Sequence, residues 1–318
     1  MDNSFCALES RDVGEDPIAN AYNFDFFVMI ECPTPWIDET FNSKSVPDNL
    51  RNLVKEFADY EIAVEFLLIY NKEFKQPDTT RVLIFHRPTG LAQGYSKSEF
   101  LLSDISEAAS IIKKCLFDKN LDTCIDESNT RDIFICTHGS RDKCCAKFGN
   151  PFYRQAKNIV KDLGMNNVRI WQSSHFGGHR FAATAIDFPE ARYYARLDSE
   201  SFSSILTRTG NLEFIKHIYR GWAILPEAAQ VLEREMILIY GWQWLSYKVD
   251  YQIIQQTENG EFNRIKLNFL KPDGSLGSVK ADVLVDKAKT LYLSDCQGEI
   301  VETIPQFYVE NLLADMQE

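Results

Sequence analysis

Two loops constrain this chain more than any other feature. The first follows the apolar run Ile133-Phe134-Ile135 and reads Cys136-Thr137-His138-Gly139-Ser140-Arg141-Asp142-Lys143-Cys144-Cys145. The second follows the apolar run at 168–171 and reads Ser173-Ser174-His175-Phe176-Gly177-Gly178-His179. Thiols on one loop and two imidazoles on the other form a metal-site pattern. The rest of the chain reads as scaffold for these loops.

The bulk properties narrow the function classes. A chain of 318 residues holds two or three domains. A net charge of −12 disfavours nucleic acid, whose phosphates attract Lys and Arg. No apolar stretch approaches the roughly 20 residues of a membrane span. Met1-Asp2-Asn3-Ser4 lacks the basic-then-apolar layout of a signal peptide. The expectation is a cytoplasmic protein with reduced thiols. Its eight cysteines, Cys6, Cys32, Cys115, Cys124, Cys136, Cys144, Cys145 and Cys296, then read mostly as small buried apolar side chains rather than a disulfide framework.

Hydrophobic spacing predicts an α/β layout that occurs twice. Residues 1–21 are a polar lead-in without periodicity. Strands are predicted at 24–31, 62–70, 80–85 and around 93–96, with helices at 47–60 and 104–116. Residues 118–131 are polar and charged and read as a linker. Strands at 132–136 and 168–173, a helix at 151–163, a hairpin over 180–186 and 193–197, and a helix at 199–219 repeat the order. Cys32 and Cys136 each close a first strand. The layout is that of two thioredoxin-like layered α/β units in tandem, at 22–117 and 131–222, the second carrying the metal site. Residues 225–318 are expected to form a small antiparallel α+β region: a helix at 226–245, strands at 249–257, 262–270 and 277–284, and a further short one at 291–293. It shows no catalytic constellation.

The two loops allow more than one metal. Thiolate and imidazole suit zinc or an iron–sulfur cluster. Cys136-x8-Cys145 is longer than the gap usual in zinc fingers, although a loop of that length can fold back around one ion. Gly177-Gly178 disfavours a helix between His175 and His179 and lets backbone amides approach closely. No Glu follows His175, so a zinc protease lacks its general base. Thiol–disulfide exchange lacks a Cys-x-x-Cys motif. Cys144 and Cys145 are adjacent, and either can be the second thiolate; in extended backbone, neighbours point opposite ways.

At these residues the sequence resembles the sucrase/ferredoxin-like family. The resemblance is carried by Cys-Thr-His-Gly-Ser-Arg-Asp-Lys-Cys-Cys and Ser-His-Phe-Gly-Gly-His-Arg-Phe-Ala. The apolar strand leading into Pro33-Thr34-Pro35-Trp36 resembles the start of the family's N-terminal half. It is sharp over about 133–196, softer over 24–116 and weak after 225. The resemblance implies a thioredoxin-like ferredoxin with a [2Fe-2S] cluster held by two Cys and two His, here Cys136, Cys145, His175 and His179. It favours Cys145 over Cys144. It implies an electron carrier rather than a stand-alone enzyme, served by an unidentified redox protein, reductase or acceptor; the acidic charge and the lack of a long apolar stretch point to no nucleic acid and no membrane as partner. With little bulk at Gly177-Gly178, a ring N–H should reach solvent, coupling proton to electron transfer. The alternative is a zinc-stabilised binding module using the same four residues. No pair of carboxylates is placed as glycosidase groups.

Other residues take plainer readings. His138 reads as a loop residue hydrogen-bonding backbone, and His86 and His217 as non-functional. Cys32 has no matching pair of histidines. Arg141 and Arg180 are either ion-paired or a source of positive potential for the site. Trp222, Trp242 and Trp244 read as core or interface.

Overall fold

The computed structural model describes residues 5–60, 62–118, 129–289, 291, 296 and 304–316. The chain begins with α1 (Cys6–Asp12), followed by β1 (Phe26–Glu31), α2 (Asp48–Phe57), β2 (Val64–Tyr70), β3 (Thr80–His86), β4 (Ser96–Leu102) and α3 (Ala108–Lys113). It continues with β5 (Arg131–Cys136), α4 (Asn150–Asp162), β6 (Val168–Ser173), β7 (Ala185–Phe188), β8 (Arg192–Tyr194), α5 (Ser199–Thr207), α6 (Ile215–Ile218) and β9 (Tyr219–Trp222). It closes with α7 (Glu227–Tyr240), β10 (Lys248–Gln256), β11 (Phe262–Leu270), β12 (Leu276–Val285) and β13 (Phe307–Met316).

The first nine strands form one mixed sheet in the order β4-β3-β1-β2-β6-β5-β7-β8-β9. One connectivity occurs twice. A parallel pair joined through a helix, β1–β2 and then β5–β6, is extended by an antiparallel pair, β3–β4 and then β7–β8. The halves join at β2 and β6, which run antiparallel through Ile69 opposite Ser173 and Tyr70 opposite Gln172. This pairing satisfies backbone groups that would otherwise line two open sheet edges. Phe27 and Phe85 of the first half pack on Phe188 of the second, the Phe85 and Phe188 rings stacking at 4.1 Å.

The last four strands form an antiparallel sheet in chain order. Its inner residues Ile265, Leu267, Phe269, Val279, Ala281 and Val283 share one contiguous core with Leu232 and Met236 of α7 and with β5 to β9. A second core lies under α2 and α3, around Val28, Ile30, Leu50, Leu53 and Ile112.

Several sequence expectations are displaced. The lead-in contains α1, which buries only Cys6, Ala7 and Ser10; so small a face leaves no hydrophobic period to read. The helix expected over 199–219 stops at Arg208, whose φ of 53° is left-handed, and the chain resumes as α6 and then β9. The strand expected near 93–96 starts at Ser96, because Lys97 and Glu99 on it are buried in ion pairs and read as polar loop. The helix at 226–245 ends at Tyr240, where Gly241 takes φ 74°, and continues as a 3-10 turn. β13 was not anticipated. Of the short strand at 291–293, Leu291 makes a single bridge to Ile304, and 292 and 293 lie outside the described residues. So do Cys124 and the middle of the expected linker, residues 119–128.

Candidate metal centre

β5 and β6 are parallel neighbours in a register that pairs Cys136 with Ser173. Their carboxyl ends therefore lie side by side, and the loops that follow emerge on the same edge of the sheet. Ligand sites of open α/β sheets form at such edges, where two strand ends bring sequence-distant side chains together.

Cys136 is the last residue of β5 and is buried. The loop after it returns through a turn of π-helix at Cys145–Gly149 into α4. Gly149 lets the loop close on the strand, since a Cβ there would sit 2.0 Å from the Cys136 carbonyl oxygen. Cys145 is thereby carried beneath Cys136. After β6, Gly177 and Gly178 take φ values of 80° and 72° and fold the chain between the two histidines. A side chain at Gly178 would collide with the buried guanidinium of Arg220, which donates to the Gly177 and Asn20 carbonyls. His179 begins a 3-10 turn rather than lying one helical turn from His175.

The sulfurs of Cys136 and Cys145 and a ring nitrogen of His175 all lie within 4.8 Å of one another. His175 Nδ1 is 3.7 Å from Cys136 Sγ and 3.6 Å from Cys145 Sγ. The His179 ring centroid stands 5.8 Å from that of His175, and its Nε2 lies 4.0 Å from Asp142 Oδ2. The structure thus brings three of the four expected residues into one triangle and sets the fourth at its rim. Both cysteines are 1% exposed, whereas the His179 side chain is 30% exposed and His175 is half-buried. The thiols face the core and the imidazoles face out.

Electrostatics separate the two thiols. Burial raises the Cys136 pKa, but the hydrogen bond with the Cys145 thiol and the nearby His175 outweigh it and hold the group well below its ordinary value. Cys145 is raised in turn, first by that hydrogen bond and then by burial. The hydrogen bond between them thus favours the thiolate at Cys136 over that at Cys145, and a metal that takes both as thiolates displaces the thiol protons. Glu65 on β2 is pushed up to about 7 by burial, against the opposing pull of His175.

Cys144 points elsewhere. Its backbone is helical, with φ −67° and ψ −39°, rather than extended as expected, so the adjacent side chains diverge around a helix turn instead of across a strand. It meets Cys6 and Cys296.

His138 is buried and bridges the two halves. Its Nε2–H donates to the Ile37 carbonyl at 2.9 Å, and its Nδ1 accepts the His175 backbone N–H at 3.3 Å. One neutral tautomer satisfies both bonds, and burial lowers its pKa. The Pro-x-Pro-Trp turn of the first half thus clamps the ligand loop. Ser140 Oγ donates to the Trp36 carbonyl, and Arg141 pairs with Asp38 at 3.0 Å. Arg180 pairs with Glu15 at 3.1 Å. Cys32 is buried in the other core. Trp222 and Trp244 are fully buried; Trp242 donates to the Gly210 carbonyl. His86 stacks on Phe26. Sequence reading missed Arg220, Asp142 and Glu65, whose place at the site depends on contacts between distant elements.

Among the described residues, no helix is long and apolar enough to cross a membrane. Two curated relatives are each named Altered inheritance of mitochondria protein 32. The protein from Debaryomyces hansenii is 35% identical over 97 residues, and the one from Meyerozyma guilliermondii 32% identical over 95. Each match takes in 28% of this chain and 34% of the relative, so the chain spans about a third of their length. A solved structure, a thioredoxin-like [2Fe-2S] ferredoxin from Aquifex aeolicus, is similar at 12% identity and a TM-score of 0.26, covering 31% of this chain and 96% of that one. The family model described as Sucrase/ferredoxin-like matches residues 17–221, which span both halves of the large sheet and both ligand loops, and the chain belongs to that family.

Proposed function

We propose that this protein carries electrons through a [2Fe-2S] cluster held by Cys136, Cys145, His175 and His179, on the second of two thioredoxin-like halves at 22–117 and 131–222, with 225–318 as an α+β C-terminal region. The observation that carries the reading is the convergence of Cys136, Cys145 and His175 on one point at the ends of two adjacent parallel strands. The donor set fits the group, since soft thiolates and imidazoles both bind cluster iron. Bound there, the cluster supplies a one-electron couple.

The chain's own residues set how that couple is reached. The buried cysteines anchor it on the core side. The half-exposed histidines form the side open to a partner, an unidentified reductase or electron acceptor. A ring N–H in that position can exchange its proton with solvent, which supports coupled movement of electron and proton. Arg220 and the paired glycines hold the histidine loop, and His138 fixes the His175 backbone. Thiol ligands need a compartment that keeps them reduced, as the cytoplasm does.

One observation favours a second reading. A single tetrahedral zinc with bonds of about 2.0–2.3 Å spans donor separations of about 3.5 Å, close to those between His175 Nδ1 and the two sulfurs. Iron and sulfide analysis with visible absorption of the purified protein separates the readings. The expected result is a red-brown protein that bleaches on reduction and loses iron in Cys136→Ser, Cys145→Ser, His175→Ala and His179→Ala, but not in Cys32→Ser. A colourless protein whose zinc is lost in those same variants would establish the zinc module instead.

A further inference from the structure

A second group of thiols lies beside the first and is used by nothing described above. Cys6 opens α1, Cys144 precedes Cys145 on the ligand loop, and Cys296 comes from the C-terminal region. Their sulfurs are 2.9 Å apart for Cys6 and Cys296, 3.3 Å for Cys144 and Cys296, and 3.6 Å for Cys6 and Cys144. Cys6 and Cys144 are buried and Cys296 is half-buried. Buried cysteines ordinarily pack singly as small apolar groups. Three from segments 138 and 152 residues apart meeting at one point call for another account.

We propose that Cys6, Cys144 and Cys296, with the Asp142 carboxylate, form a second metal site that takes a zinc ion. Three thiolates and one carboxylate are a tetrahedral donor set for zinc. With Zn–S bonds of about 2.3 Å, the sulfurs of such a site stand about 3.8 Å apart, so each of these three needs to move by less than about 1 Å. Asp142 Oδ1 already lies 3.8 Å from Cys296 Sγ, held there by the Cys144 backbone N–H at 2.7 Å.

The surroundings suit an anionic metal complex. Four anionic donors leave a net negative charge on the bound ion. Lys147 Nζ lies 3.7 Å and Lys143 Nζ 5.3 Å from the Phe5 ring centroid, and Arg11 stands over Phe148, both rings packing, like Cys296, against the cluster that holds Cys6 and Cys144. A disulfide between Cys6 and Cys296 would account for two of the thiols and leave Cys144 and Asp142 unexplained. Zinc needs no oxidant and uses all four. Bound there, it would tie the N-terminal helix and the C-terminal region to the loop that carries Cys145, bracing that loop from behind.

The test measures iron and zinc per chain on the full-length protein. The wild type is expected to hold about one zinc at this site. Cys6→Ser, Cys144→Ser and Cys296→Ser should each lose at least about nine-tenths of that zinc, while iron and the visible spectrum stay in place. Cys136→Ser and His175→Ala should do the reverse, so failure of this site and failure of the proposed cluster are told apart. Cys296→Ser, at the least buried position, guards against a variant that merely misfolds. A wild-type measurement needs no variant at all. Mass mapping after alkylation should show Cys6, Cys144 and Cys296 shielded until a zinc chelator is added. Unchanged zinc in the three variants, equal alkylation with and without chelator, or a metal-free protein lighter by two hydrogens from a Cys6–Cys296 disulfide would each overturn the proposal.

Discussion

Replacing His138 with Ala tests whether this residue positions the metal centre or belongs to it. His138 is 2% exposed and makes two hydrogen bonds to backbone groups, the Ile37 carbonyl and the His175 N–H. Ala removes both partners at once. A buried polar group left unsatisfied costs about 1–3 kcal/mol; both bonds are only partly buried and Ile37 is exposed, so the two together amount to roughly 1–4 kcal/mol. Loss of the edge contact with Trp36 adds to this. For a chain of this size, at about 1.5 °C per kcal/mol, the apparent melting temperature should fall by roughly 2–6 °C. The second consequence is local. With its backbone released, His175 should leave the centre more readily, so iron loss to an external chelator should be at least about tenfold faster, the equivalent of about 1.4 kcal/mol. The resting spectrum, however, should match the wild type, because no donor to the metal has changed. His138→Gln retains a donor and an acceptor on one side chain and should recover part of both effects. Thermal melting, chelator-challenge kinetics and electron paramagnetic resonance of the reduced protein read these outcomes. A variant that folds but shows altered resonance positions, or none, would make His138 a ligand. A melting temperature within a degree of wild type would show that the two bonds do not hold the loop.

Gly149→Ala should be more damaging than its small size suggests. Its Cβ would sit 2.0 Å from the Cys136 carbonyl oxygen, so α4 must back away from β5; we expect roughly 3–5 kcal/mol of destabilisation in urea unfolding and reduced iron content. The C-terminal sheet offers a pH test independent of the metal. Arg264 and Asn311 bind both oxygens of Asp282 and hold its carboxyl down at about 2. A depressed folded-state pKa gives stability that is complete above the unfolded value of about 4 and is lost as pH falls from there towards 2. Asp282→Asn should therefore melt below wild type at neutral pH, with the gap narrowing as pH falls through that window; a gap independent of pH would refute the assignment. The midpoint potential, measured by titration under inert gas, should lie well above the roughly −400 mV of all-cysteine plant-type ferredoxins, because two neutral imidazoles replace two thiolates; a value near that figure would contradict histidine ligation.

What the sequence determined by itself was local. The apolar run at 133–136 is a strand because a buried parallel strand needs side chains that are apolar on both faces, and the shorter run at 168–171 carries the same signal despite Arg169. The loops after them were marked by glycine, by the cysteine and histidine spacing and by family likeness. None of these signals needs knowledge of the rest of the chain. The signals failed where burial is polar or the buried face is small. Lys97 and Glu99 on β4 are satisfied by ion pairs with Asp132 and Arg169 on other strands. On α1, small residues make the contact.

Only the tertiary structure decided how the loops are held and what lies beside them. The antiparallel pairing of β2 with β6 makes one sheet of two similar halves, and no local pattern encodes which edges meet. His138 is a bridge because Ile37, 101 residues away, presents a carbonyl to it. Cys144 and Cys145 look equivalent in sequence. The turn of π-helix into α4 sends one towards Cys136 and His175 and the other towards Cys6 and Cys296. Backbone geometry sets the direction of a side chain, but long-range packing chooses what that side chain meets.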